Sequence, residues 1–308
     1  MDGKNKHLVI VTGPTAVGKT AFSIQLAQHF KTEILSADSR QFYREMRIGT
    51  AYPSPEELKA SRHHFIGNLS LEDEYNVSHY ESETLLLLRE LHQSYDVVIL
   101  TGGSGLYIDA VCKGIDDLPD HDPQLRQNLK EEMDAHGIEA FGEKLKNLDP
   151  EYYDVVDHRN PNRLLRAVEV CLQTGDTYTS LRKNKSKSRP FNIVKIGLNV
   201  DRKILFERIS QRVDKMMDDG LLEEVHSLLP YREYNALKTV GYQEIFRHMD
   251  GELSLEEAVE KIKTNTRRYA KRQLTWFKRD EEMRWFRPDE IDDVLSYVNT
   301  RIREYESL

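Results

Sequence analysis

GPTAVGKT, Gly13–Thr20, fits the pattern GxxxxGK[ST] at Gly13, Gly18, Lys19 and Thr20. An apolar run, HLVIVTG at 7–13, precedes it, and KTAFSIQLAQHF follows with Phe22, Leu26 and Phe30 spaced i, i+4, i+8 along one helix face. Strand, glycine-rich loop, Lys-Thr and helix in that order make a phosphate-binding loop. The backbone N–H groups of Gly13, Pro14 excepted, through Thr15, Ala16, Val17, Gly18, Lys19 and Thr20 form a nest at a helix N-terminus. Lys19 adds a full positive charge, and the Thr20 hydroxyl is a candidate magnesium ligand. The default occupant is a nucleoside triphosphate.

Working outward, TEILSADS at 32–39 and DVVILTGG at 96–103 read as further buried strands, with SETLLLLRELHQS a helix between them. FNIVKIGLNV at 191–200 alternates Val194, Ile196, Leu198 and Val200 and reads as another strand, followed by one long helix, DRKILFERISQRVDKMMDDGLLEEVHSLL. This order predicts an α/β fold: a P-loop NTPase-like parallel sheet with flanking helices. Between about 116 and 189 the strand signal disappears and helix periodicity with several caps takes over. The expected organisation is a catalytic core at 1–115 and 190–308 with an inserted all-helical domain at 116–189. LRKNKSKSRP, 181–190, reads as an exposed flexible loop.

The 308 residues are 39% hydrophobic and 31% charged, a globular composition without an apolar run long enough for a bilayer. MDGKNKHLVI passes directly into the first strand, with no secretory h-region expected. Cys112 and Cys171 lack metal-ligand spacing, so neither a zinc site nor a disulfide framework is expected, and a reducing cytoplasm fits. A formal net charge of −8 argues against coating nucleic acid by bulk charge, yet the cations are segregated. RRYAKRQLTWFKR, 267–279, holds Arg267, Arg268, Lys271, Arg272, Lys278 and Arg279 with no acid, and Arg163 and Arg166 form an i, i+3 pair. Such patches suit a phosphate backbone; the alternative is a solvated helix face. Trp276 and Phe277, adjacent and so on different helix faces, read as core rather than stacking platforms.

Enzymes that hydrolyse a triphosphate commonly end a buried strand in aspartate to hold magnesium and water. DVVILTGG ends instead at Thr101, with Asp96 at the wrong end. Asp38, closing the second strand, stands at the sheet edge that carries the phosphate loop. On position alone it is equally a catalytic carboxylate and an Asx-turn at a strand exit.

Asp38 opens DSRQFYREMRIGTAYPSPEE. With GPTAVGKT, TGGSGLY, NRLLRAVEV and YAKRQLTWF, this block resembles the bacterial tRNA dimethylallyltransferase (tRNA isopentenyltransferase) family over nearly the whole chain. The cysteines are too few for the C-terminal zinc finger of eukaryotic relatives. The resemblance implies transfer of a dimethylallyl group from dimethylallyl diphosphate to the exocyclic amine of the adenosine 3′ of the anticodon, in tRNAs reading U-initial codons. The loop then grips an isoprenoid diphosphate, which fits the missing strand-end carboxylate. It implies magnesium on Thr20, Arg212 on the diphosphate, Asp38 as general base, and a pocket for the flipped adenine lined by Asp38, Ser39, Arg40 and Gln41. Ser104 and Arg126, with the basic pair Arg163 and Arg166, are expected tRNA contacts, and the expected partner is an anticodon stem-loop bound by a cytoplasmic monomer. The chain departs from the family pattern at three places, the second of two residues. Tyr52 replaces a lysine, Gly67 and Asn68 follow His63-His64 where an aspartate is usual, and Ser104 replaces a threonine. The competing functions are a small-metabolite kinase with Asp38 as base toward a hydroxyl, a prenyltransferase acting on free AMP, and a non-catalytic RNA-binding nucleotide switch.

Overall fold

The computed structural model describes residues 5–183 and 186–307. Asn184 and Lys185, inside the stretch read as a flexible loop, lie outside the described residues. The chain divides into two compact units, Met1–Cys112 with Ser188–Leu308, and Lys113–Lys187.

In the first unit six strands form one sheet in the order β3-β2-β4-β1-β5-β6, where β1 is His7–Thr12, β2 Ile34–Ala37, β3 His63–His64, β4 Val97–Gly102, β5 Asn192–Leu198 and β6 Arg284–Phe286. All five pairings are parallel, so helices cross over between the strands and cover both faces. Alternation along the strands sorts the core. Leu8, Ile10, Val98 and Leu100 pack into one apolar cluster, while Val9, Val11, Ile99, Val194 and Ile196 pack into the other. Each such side chain contributes about 1.5–3 kcal/mol by leaving water. Parallel strands put all carboxyl ends on one edge, and that edge carries the loops that follow β1, β2 and β4.

The loop after β1 turns sharply into the helix Lys19–Phe30 through Gly18, whose φ of 110° only glycine adopts cheaply. The long helix expected after β5 is broken. Helix Arg202–Asp218 ends at Asp219, the chain turns through Gly220 at φ 98°, and Leu221–Ser227 begins a new helix. An uninterrupted apolar period across DDGLL hid a left-handed residue that changes the helix axis. The edge strands β3 and β6, of two and three residues, had no sequence signal, because two or three residues carry no period.

In the second unit three helices begin the same way. Asp122, Asp149 and Asn160 cap Pro123–Leu148, Pro150–Val155 and Pro161–Thr174, each side chain accepting from the backbone N–H of the third residue on. Proline at the first helical position has no N–H to leave unsatisfied there. Leu129, Phe141, Leu145, Leu164 and Val168 bury between these helices as a separate core. Among the described residues no helix is long and apolar enough to cross a membrane.

Candidate active site

At the carboxyl edge of the sheet lies a cavity of about 540 Å³ lined by Lys19, Thr20, Asp38, Gln41, Arg212 and Gln273, among others. The Lys19 ammonium folds back over its own loop, donating to the carbonyls of Gly13 (3.1 Å) and Pro14 (2.9 Å), with a third proton left for a ligand. Burial pulls its pKa down to about 8, Asp38 opposing this and Arg212 adding to it. Arg208 and Arg212, one turn apart on Arg202–Asp218, reach the site from the opposite wall. Arg208 Nη1 donates to Val17 O (3.0 Å) and braces the phosphate loop, while Arg212 Nη2 donates to Thr50 O (3.3 Å). Burial also lowers the pKa of the Arg212 guanidinium, with Asp38 opposing.

Asp38 combines both of its sequence readings. Its Oδ1 accepts from Arg40 N (3.1 Å), an Asx-turn at the strand exit, and its carboxylate also lines the cavity. Ser39 and Ser104 tie the turns after β2 and β4 together: Ser39 N donates to Ser104 Oγ (2.9 Å) and Ser104 Oγ to Ser39 Oγ (3.2 Å). Both amide protons of Gln41 are engaged, by the carbonyls of Thr50 (3.1 Å) and Ala51 (3.0 Å), so its Oε1 is the group it offers a base. Thr101, at the end of β4, spends its hydroxyl on Val11 O (3.2 Å).

Two residues of the basic helix Leu255–Phe277 reach this site without having been singled out for it. Buried Gln273 accepts from Thr15 N (2.8 Å) and donates to Gly103 O (3.0 Å), stapling the phosphate loop to the turn after β4. Tyr269 lies one turn earlier; burial, and then the Asp38 charge, push its phenol pKa up. Tyr269, Gln273 and Trp276 share a face at i, i+4 and i+7, a signal masked by the density of cations around them. Phe277 is buried, and Trp276 is half-buried with Arg279 4.2 Å above its ring and its Nε1 donating to Asp109 Oδ2 (3.0 Å). Arg268, Lys271, Arg272 and Lys278 are exposed.

In the second unit Arg163 is exposed, but Arg126 and Arg166 converge on Glu169, which is 0% exposed. Arg126 Nη1 (2.9 Å), Arg166 Nη1 (3.1 Å) and His121 Nδ1 (2.8 Å) all meet Glu169 Oε2. Burial alone would raise the Glu169 pKa, but His121, Arg166 and Arg126 outweigh it and hold it below the ordinary carboxylate value. This carboxylate therefore stabilises the unit at pH values above the usual glutamate range, and the contribution is lost as pH falls through its depressed pKa. Glu169→Ala leaves three basic groups facing an empty cavity. With the arginines partly in water, a loss of about 3 kcal/mol is expected in urea unfolding at pH 7, shrinking toward zero in acid.

The departures at Tyr52 and Gly67 meet in space. A Cβ on Gly67, at φ 57°, would stand 1.9 Å from the Tyr52 hydroxyl. Glycine at one position therefore makes room for tyrosine at the other. Gly67→Asp is expected to cost about 1–3 kcal/mol in thermal unfolding, and adding Tyr52→Lys to recover most of it.

The IPP transferase family model matches residues 41–280. The chain belongs to the IPP transferase family. It is 52% identical over 298 residues to tRNA dimethylallyltransferase 1 of Bacteroides fragilis, covering 97% of this chain and 99% of that protein. It is 34% identical to the tRNA isopentenylpyrophosphate transferase of Bacillus halodurans, whose crystal structure superposes with a TM-score of 0.73 and 98% coverage of both chains. A eukaryotic dimethylallyltransferase, solved in the act of modifying tRNA, superposes with a TM-score of 0.73 at 26% identity, over 88% of this chain and 69% of that one.

Proposed function

We propose that the protein transfers the dimethylallyl group of dimethylallyl diphosphate to the exocyclic amine of the adenosine 3′ of the anticodon, in tRNAs reading U-initial codons, giving isopentenyladenosine and diphosphate. The observation that carries this reading is Asp38 facing the cavity that holds Lys19 and Arg212. The relatives named as tRNA dimethylallyltransferases support it.

In the reaction the allylic C–O bond breaks, a C–N bond forms to the adenine amine, and one amine proton is lost. The diphosphate takes the electron pair of the broken bond. Nest N–H groups, Lys19 and Arg212 stabilise that departing charge, where fixed donors act most strongly. Asp38 orients the amine and accepts its proton. Adenine must leave the anticodon stack to arrive there; in this reading Ser39, Arg40, Gln41 and Ser104 contact it, and Gln41 lines the cavity. The Thr20 hydroxyl, a hard oxygen lining the cavity, suits magnesium. Among the described residues no group of three or more His, Cys, Asp or Glu forms an all-protein cage. Magnesium characteristically takes few protein ligands together with substrate oxygens and water, and here it would neutralise the diphosphate, held by Thr20.

The inserted unit serves as a tRNA-binding domain in this reading, with exposed Arg163 open to phosphate and Arg126 and Arg166 shared between RNA and Glu169. The enzyme acts as a cytoplasmic monomer. Mass spectrometry of tRNA nucleosides after incubation with magnesium and dimethylallyl diphosphate is expected to find isopentenyladenosine at the single position 3′ of the anticodon. Unmodified tRNA, together with phosphate transfer from ATP to a small hydroxyl compound, would instead establish the kinase.

A further inference from the structure

The loop RIGTA, 47–51, reaches the active-site cavity at Ala51, and the residue that holds the loop lies outside that cavity. Glu224, on Leu221–Ser227, gathers four hydrogen bonds on one carboxylate. Its Oε2 accepts from the backbone N–H groups of Arg47 (2.9 Å) and Ile48 (2.7 Å). Its Oε1 accepts from Gly49 N (3.0 Å) and from the hydroxyl of Tyr242 (2.7 Å), a side chain buried completely. Three consecutive backbone donors converging on two oxygens call for an anion: a glutamine there would aim its own N–H groups at one of them. The Tyr242 ring closes the arrangement from behind, so near Gly49 that a Cβ there would stand 2.5 Å from it. On its other side the same loop supplies the Thr50 carbonyl that receives Arg212 Nη2 (3.3 Å).

We propose that Glu224, backed by Tyr242, is a positioning residue for prenyl transfer: it fixes the 47–51 loop so that the Thr50 carbonyl aims Arg212 at the departing diphosphate. The proposal rests on the function given above. Helix Leu221–Ser227 follows the turn at Gly220, so the helix that carries Arg212 and the helix that anchors its acceptor are consecutive. Together they hold the guanidinium from both ends.

Three measurements test this. Residue-resolved hydrogen exchange without substrate is expected to show the amides of Arg47, Ile48 and Gly49 exchanging at least about tenfold faster in Glu224→Gln, with the strands of the sheet unchanged. Steady-state kinetics are expected to show kcat reduced about tenfold or more, as for an ångström-scale misplacement, with tRNA affinity changed less than about twofold. In an Arg212→Ala background the same substitution is expected to change kcat by less than about twofold, because its route to the chemistry is already gone. If Glu224→Gln fails to fold, Tyr242→Phe removes a single bond and keeps the ring. A kcat loss of a few-fold that likewise vanishes without Arg212 is then expected. Losses that multiply in the double variant, a normal kcat with the three amides released, or amides that stay protected would each overturn the proposal. A wild-type protein that makes no prenylated adenosine would remove the assigned reaction and the proposal with it, while the exchange data would still report on the clamp itself.

Discussion

Asp38→Asn lowers turnover by about 10²–10⁴-fold while affinity for an anticodon stem-loop stays within a few-fold, the range expected when a positioned proton acceptor is lost. Asparagine is nearly the same size and can still accept from Arg40 N, so the Asx-turn after β2 is retained. What disappears is the basicity of the oxygen facing the cavity. The substitution thus separates the two jobs that position alone could not distinguish. Single-turnover rates with saturating dimethylallyl diphosphate, set beside equilibrium binding of the stem-loop, make the measurement. Equal losses in rate and affinity would make Asp38 a binding residue only.

Lys19→Met reduces turnover about 10²–10³-fold, as when one donor to a developing anion is removed. It also removes the two bonds that close the loop on the Gly13 and Pro14 carbonyls. A pH signature distinguishes charge from shape. With its pKa depressed to about 8 by burial, the free enzyme's Lys19 is protonated below that pH and neutral above it. A bound diphosphate favours the protonated form, so affinity is expected to be flat below about pH 8 and to weaken up to about tenfold per unit above it. In Lys19→Met the slope is expected to vanish. Calorimetric titration with dimethylallyl diphosphate from pH 7 to 10 reads it, and an unchanged slope in the variant would assign the titration to another group.

Much of this site was legible along the chain because its parts are local. The phosphate loop lies within eight residues, and its glycines, lysine and threonine have backbone and charge roles that any such strand-to-helix turn imposes. Asp38 was visible because a strand end in a parallel sheet has only one edge to occupy. Arg208 and Arg212, four residues apart in FERISQRVDKM, share one helix face by helix geometry alone. Arg126 and Arg166 were visible as cations, but their shared partner Glu169 was not, since a glutamate on an apolar helix face carries no mark of what will meet it from another helix.

The sequence by itself determined the nucleating elements: which runs become strands, where glycine lets the backbone bend, and where Asp-Pro and Asn-Pro start helices in the inserted unit. Each follows from steric and hydrogen-bonding preferences that act within a few residues. Only the tertiary structure decided what those elements hold in place. Glu224 reaches amides more than 170 positions away, and Gln273 joins a loop 258 positions earlier. Tyr52 and Gly67 make sense only as a pair. Such contacts depend on where folded elements come to lie beside one another, and a one-dimensional pattern records the periodicity of each element but not the neighbour it will meet.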